Sequence, residues 1–264
     1  MSRGGDVGGR WTPDHRSAWM FDKFAATSVH LVAGTFGEVR VLRPPAAGLA
    51  DRPLILASNH PSWWDPMVGL VTLLRYLPER VPFVPIDPKG YREHPVFARV
   101  GFFPLEPASS RGAVSLLRDG RKALGFPGGL VWITPEGRFT DPRVRPLQLR
   151  PGAAALALRT PGAVLVPVAI EYRFGAEPKP EAYLSYGEPI ETCGASVDHV
   201  VDHLSDALAG TMDELAHVVQ EGDVERCELI LRGNSGSAAG LWNLLRAYTR
   251  GPTAYDPAHL QGSD

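Results

Sequence analysis

The chain has 264 residues, a length that an α/β protein can fold as one domain. Hydrophobic residues make up 44% and charged residues 21%, the balance of a chain with a packed core, and a formal net charge of -2 gives it no broad electrostatic footprint for nucleic acid. The two cysteines, Cys193 and Cys227, fall in no C-x-x-C pattern and build no disulfide framework, which fits a reduced, cytoplasmic chain.

Residues 1–12 are Gly-rich and are expected to form a flexible N-terminus, with 13–264 as one domain. No apolar h-region follows the early Arg3, and no run approaches the roughly 20 apolar residues of a membrane span. Any lipid substrate is therefore expected to be met at a membrane surface. Apolar recurrence at three- and four-residue steps predicts a helix over 13–33. Residues 38–42 read as a short strand, and 54–57 as a compact, buried one. After Pro66, which suits a first helical turn, 67–77 reads as helix.

Residues 81–86 read as a strand, 96–100 as a short helix and 101–105 as another apolar run. Ser109 or Ser110 can cap a helix reaching about Leu124. Residues 130–134 form a third buried strand, 152–159 a helix, and 163–172 and 183–186 strands. A long amphipathic helix over 197–219 and a candidate helix around 241–248 make up a helical C-terminal extension of about 195–250. Alternating strands and helices predict a single α/β domain whose mixed, largely parallel sheet is flanked by helices.

His60 and Asp65 follow the buried strand at 54–57, and Pro61 and Pro66 oppose a regular helix between them. A turn there lets Asp65 accept from one imidazole nitrogen while the other takes a proton. This is the His–Asp half of a hydrolase triad, with the hydroxyl supplied by a substrate. Alone, such a pair also fits a loop contact that caps the next helix. A second cluster, Thr134-Pro135-Glu136-Gly137-Arg138, follows the third buried strand. Glu136 can accept hydrogen bonds, Gly137 permits a tight turn near a ligand, and Arg138 can bind phosphate or carboxylate. A solvated turn is the plain alternative.

The set N-H-x-x-W-W-D-P at 59–66, Gly101-Phe102-Phe103-Pro104-Leu105-Glu106, T-P-E-G-R at 134–138, and the Pro167-containing strand at 164–170 resembles the glycerolipid acyltransferase superfamily, whose best-known members are lysophosphatidate acyltransferases. The resemblance covers about 53–172, in order. It implies an H-x4-D base pair of His60 and Asp65, acceptor binding by Glu136, Gly137 and Arg138, an acyl-CoA or acyl-carrier-protein donor, and no metal or other cofactor. It also implies phospholipid biosynthesis at the inner face of a membrane. The chain departs from the pattern at Pro107, where the family usually has Arg, at Thr134, where it has Phe, and at Arg138-Phe139, where Thr-Arg is usual. Arg is the natural bidentate ligand of phosphate, so the acceptor is left open between a lysophospholipid and another lipid alcohol. A non-catalytic lipid- or thioester-binding protein and an acyl thioester hydrolase are the alternative functions.

Other features carry less. His199 and His203 share a helix face but find no third metal ligand in the sequence. Trp63 and Trp64 fit an acyl tunnel or loop packing equally. Residues 19–32 read as a helix packed on the sheet or lying in a membrane interface. Arg138, Arg143, Arg145, Arg150 and Arg159 form a basic stretch able to attract phosphates.

Overall fold

The computed structural model describes residues 11–49, 51–106 and 109–234. Residues 1–10, Pro107 and the candidate helix at 241–248 lie outside them.

Leu54–Ser58 (β2) is buried at every position, and such a strand needs partners on both edges and cover on both faces. Gly129–Ile133 (β5) pairs it on one side and Val164–Arg173 (β6) on the other, both parallel. Beyond β5 lie Val81–Ile86 (β3) and Phe102–Pro104 (β4), also parallel. Beyond β6, Glu181–Tyr186 (β7) runs antiparallel to it, Glu38–Val41 (β1) parallel to β7, and Glu228–Arg232 (β9) antiparallel to β1. The order is β4-β3-β5-β2-β6-β7-β1-β9, with the two-residue Ile190–Glu191 (β8) on the start of β6. The expected single α/β domain with a mixed, largely parallel sheet is what forms.

Successive strand residues feed opposite layers, as the pleat requires. Leu54, Leu56, Leu130, Trp132, Val164 and Val166 pack with Met67, Val68 and Val71 of Asp65–Tyr76 (α2) and Val32 of Ala18–Thr35 (α1). Ile55, Ala57, Val131, Ile133 and Leu165 pack with the other layer. Its helices are Ser110–Leu124 (α5), Gly152–Leu158 (α6) and Val197–Glu221 (α7), which contribute Leu116, Leu156 and Leu204. The short helices Pro88–Glu93 and Val96–Val100 precede β4.

This layering creates the crevice. From β2 the chain crosses over α2 to β3, and from β5 over α6 to β6, in the reverse direction and on the opposite face. The crossovers leaving β2 and β5 go to opposite faces of the sheet, and ligands of open α/β sheets bind at such a switch point.

Three expectations shift. The helix predicted over 13–33 begins only at Ala18, where the Ser17 hydroxyl accepts from the Met20 amide at 3.4 Å; before it lies a separate 3-10 turn, Pro13–His15. The helix Pro88–Glu93 was not anticipated, although Asp87 caps it by accepting from the Lys89 and Gly90 amides. In the extension expected to be helical, α7 is followed by β9, whose pairing with β1 is a tertiary contact.

Pro167, inside the sheet, loses no ladder bond. Along that side of β6, β8 pairs Val164 and Leu165 and β7 takes over at Val168. Pro167 sits in the gap, where its carbonyl accepts from the Gly187 amide at 2.8 Å. Gly69 lets α2 approach the sheet: a Cβ there would lie 2.6 Å from the Trp132 ring. Trp132 cannot easily give way, since it is buried and its indole N–H donates to Ser58 Oγ at 2.8 Å. Gly69→Ala is therefore expected to cost about 1–3 kcal/mol, read as a lowered urea midpoint; an unchanged midpoint would contradict this packing.

Candidate active site

β2 ends at Ser58, and Asn59 fastens the start of the next loop to β6. Asn59 is 1% exposed; its amide donates to the Ile170 carbonyl at 2.9 Å and its oxygen accepts from the Ile170 amide at 2.8 Å. The side chain thus imitates one more ladder partner where β2 has already stopped. His60 comes next, then a turn closed by the Asp65 amide donating to the Ser62 carbonyl. Asp65 opens α2 with Pro66 in its first turn, so the carboxylate lies at the positive end of the helix.

The Asp65 carboxylate, with side-chain exposure of 3%, has three partners. His60 Nδ1 lies 2.7 Å from Oδ2, the Ser62 amide donates to Oδ2 at 3.1 Å, and the Tyr172 hydroxyl donates to Oδ1 at 2.7 Å. Burial, the Asp65 charge and this hydrogen bond raise the Tyr172 phenol well above the ordinary tyrosine range, so it stays a donor. A carboxylate offers only acceptors, so Nδ1 carries a hydrogen, and in the neutral imidazole Nε2 then keeps its lone pair. Nε2 bonds to no described residue, and the His60 side chain remains 19% exposed. The arrangement can take a proton from a bound hydroxyl.

The second predicted cluster leaves the adjacent strand at the same edge, in register with β2 through Ala57 and Ile133. Glu136 is 5% exposed, and its carboxylate bonds to no described residue. Gly137 has φ +65°, and a Cβ there would lie 2.7 Å from Nε of Arg150, whose amide donates to the Pro135 carbonyl at 2.8 Å. The left-handed backbone favours glycine at this position, while the exposed Arg150 side chain is free to swing aside. Arg138 is exposed and pairs with no described residue. The loops are tied where the Thr140 amide donates to the His60 carbonyl at 3.0 Å, and the Phe139 ring stacks on the imidazole at 4.2 Å between centroids.

A family model of acyltransferases matches residues 40–171, half of the chain. The chain belongs to the acyltransferase family. The match spans β1 to β6 and contains both motif loops, in keeping with the resemblance of the motifs to the glycerolipid acyltransferases. Among solved structures the acyltransferase is similar to the 1-acyl-sn-glycerophosphate acyltransferase PlsC from Thermotoga maritima, at 16% identity and a TM-score of 0.42, over 71% of this chain and 78% of that one. No curated protein matches it.

The remaining sequence features sort themselves in space. Of the basic stretch, Arg143 closes on Asp141 and Arg145 on Asp213, while Arg159 reaches the Ala155 carbonyl. Arg138 and Arg150 keep unpaired guanidinium groups among the described residues, both at the Gly137 turn. Trp64 packs edge-on against Phe36 at 5.4 Å, whereas Trp63 is 67% exposed. α1 buries Phe21, Ala25, Ser28, Val32 and Ala33, leaving Trp19 and Leu31 outside. Arg111 lines an open cleft of about 610 Å³ with Glu106 and Arg118 at the β4 edge. His199 and His203 are exposed on α7, and among the described residues no group of three His, Cys, Asp or Glu is placed to hold a metal ion.

Sequence reasoning joined neither Tyr172 to Asp65, nor Phe139 to His60, nor Arg150 to Gly137. Tyr172 lies 107 residues from Asp65, and no spacing rule joins them. A hydrogen bond to a charged group contributes about 1.5–3 kcal/mol. Tyr172→Phe is accordingly expected to slow acyl transfer by roughly tenfold or more with the fold intact, measured as kcat beside thermal unfolding; an unchanged kcat would remove Tyr172 from the arrangement.

Proposed function

We propose that this acyltransferase moves a fatty acyl group from a thioester donor, acyl-CoA or acyl-carrier protein, to a hydroxyl of a lysophospholipid or other lipid acceptor. His60 serves as general base and Asp65 orients it. The observation that carries this reading is the Asp65 carboxylate saturated by three donors, which leaves Nε2 of His60 as the open proton acceptor.

In the reaction, Nε2 takes the acceptor proton as the hydroxyl oxygen attacks the thioester carbonyl. The tetrahedral intermediate collapses, the C–S bond breaks, and the imidazolium returns the proton to the leaving thiolate. Asp65 stabilises the imidazolium between the two transfers. Glu136, buried and unengaged, accepts from acceptor hydroxyls; the Gly137 turn lets the acceptor approach the backbone; Arg138 offers an unpaired cation. The chemistry requires no metal or other cofactor.

The acceptor is lipid, so the crevice works at a membrane surface, at the inner face of the cytoplasmic membrane. The exposed rings of Trp63, Phe139 and Phe174 support this, because they follow β2, β5 and β6 at the crevice edge of the sheet. No described helix is long and apolar enough to cross a membrane.

The test is thiol release from several acyl-CoAs and from acyl-carrier protein, with lysophospholipids, glycolipids and lipid alcohols as acceptors and products identified by mass spectrometry. An acylated lipid is the expected product. Free fatty acid with every acceptor would replace transfer by hydrolysis, and no thiol release from either donor class would leave only binding.

A further inference from the structure

Phe139 contributes the ring that rests on the imidazole of His60. The two planes are inclined by 32° with centroids 4.2 Å apart, so one face of the imidazole meets carbon. Phe139 itself is 59% exposed. The hydrogen bond from the Thr140 amide to the His60 carbonyl fixes the chain one residue beyond it, so the ring is held beside His60 by the backbone. A hydroxyl presented to Nε2 therefore brings its neighbouring atoms to the rim of a phenyl ring.

That rim sorts acceptors by charge. An ionised phosphate beside the reacting hydroxyl would lose water against the phenyl ring, which offers it no donor, and desolvating an uncompensated charge is heavily penalised. The later cations of the loop are already taken, Arg143 by Asp141 and Arg145 by Asp213. The unpaired Arg138 and Arg150 belong to the Gly137 turn that precedes Phe139. Uncharged carbons beside the hydroxyl instead cover the exposed ring and gain from its burial.

We infer that Phe139 is a specificity-determining residue and that the acceptor is a neutral lipid alcohol of the monoacylglycerol kind, chosen over its phosphate-bearing counterpart. The inference rests on the proposed transfer reaction and narrows its acceptor.

The experiment offers wild type, Phe139→Ala, Phe139→Leu and Phe139→Arg a monoacylglycerol and a lysophosphatidate of the same acyl chain, in mixed detergent micelles with one acyl-CoA. A His60→Ala control accompanies them, and thermal unfolding checks each fold. Wild type should favour the neutral acceptor in kcat/KM by about tenfold or more, the scale set by a few apolar contacts. Phe139→Ala should lose most of that preference, Phe139→Leu should keep it, and Phe139→Arg should turn it toward the phosphate. Preference for lysophosphatidate by wild type, transfer only to acceptors of other kinds, or one ratio shared by all four proteins overturns the inference and leaves the transfer reaction standing. Absence of His60-dependent transfer to any acceptor, from acyl-CoA and from acyl-carrier protein alike, overturns both.

Discussion

Changing His60 to alanine is expected to leave a folded protein that transfers acyl groups roughly 10²–10⁴-fold more slowly, the share that a positioned general base contributes. The fold should survive because the His60 side chain lies at the surface of the crevice, and the Thr140 amide bonds to its carbonyl, which alanine keeps. Asp65 retains the Ser62 amide and the Tyr172 hydroxyl as donors, so its buried charge is not abandoned. Donor and acceptor binding should change little, placing the loss in kcat with KM near wild type. Steady-state thiol release with product identification measures it. Transfer within a few-fold of wild type, in a variant with an unchanged unfolding curve, would show that another group takes the proton.

Asp65→Asn is the second large effect, expected to approach the figure of about 10⁴-fold for loss of an orienting carboxylate in serine hydrolases. An asparagine can point its amide two ways. With NH₂ toward Oδ2's place, it meets the Ser62 amide donor and forces Nδ1 of His60 to accept, leaving Nε2 protonated and unable to serve as base. With NH₂ toward Tyr172, that hydroxyl must turn from donor to acceptor, and the imidazolium still loses its counter-charge. In the proposed mechanism Asp65 acts through His60, so the double variant should be no slower than His60→Ala alone. Multiplied losses in the double variant would give Asp65 a separate role.

The reach of the sequence depends on the range of the forces involved. β2, β5 and β6 were readable because a strand covered on both faces is a continuous apolar run. The His60–Asp65 pair was readable because only four residues separate the two, with Pro61 among them and Pro66 following to confine the turn. β9 was not, since Glu228–Arg232 has no strongly buried face and becomes a strand only against β1. Asn59 belonged to the quoted motif, yet its grip on Ile170 depends on strands 111 residues apart. The contact between Phe139 and His60 depends likewise on β5 settling beside β2.

One strand holds the pair from the far side. β6 outruns β2, presenting first Ile170 to Asn59 and then, two residues on, Tyr172 to Asp65. Strand residues two apart share a face, whereas a slip of one turns every side chain over. The alignment of the carboxylate is thus a matter of counting: between Pro167 and Tyr172 this strand can exchange one side chain for another of similar shape, but it cannot gain or lose a residue without turning the phenol away from Asp65. Relatives that keep the same proton-accepting arrangement are expected to vary there in composition while holding the length constant.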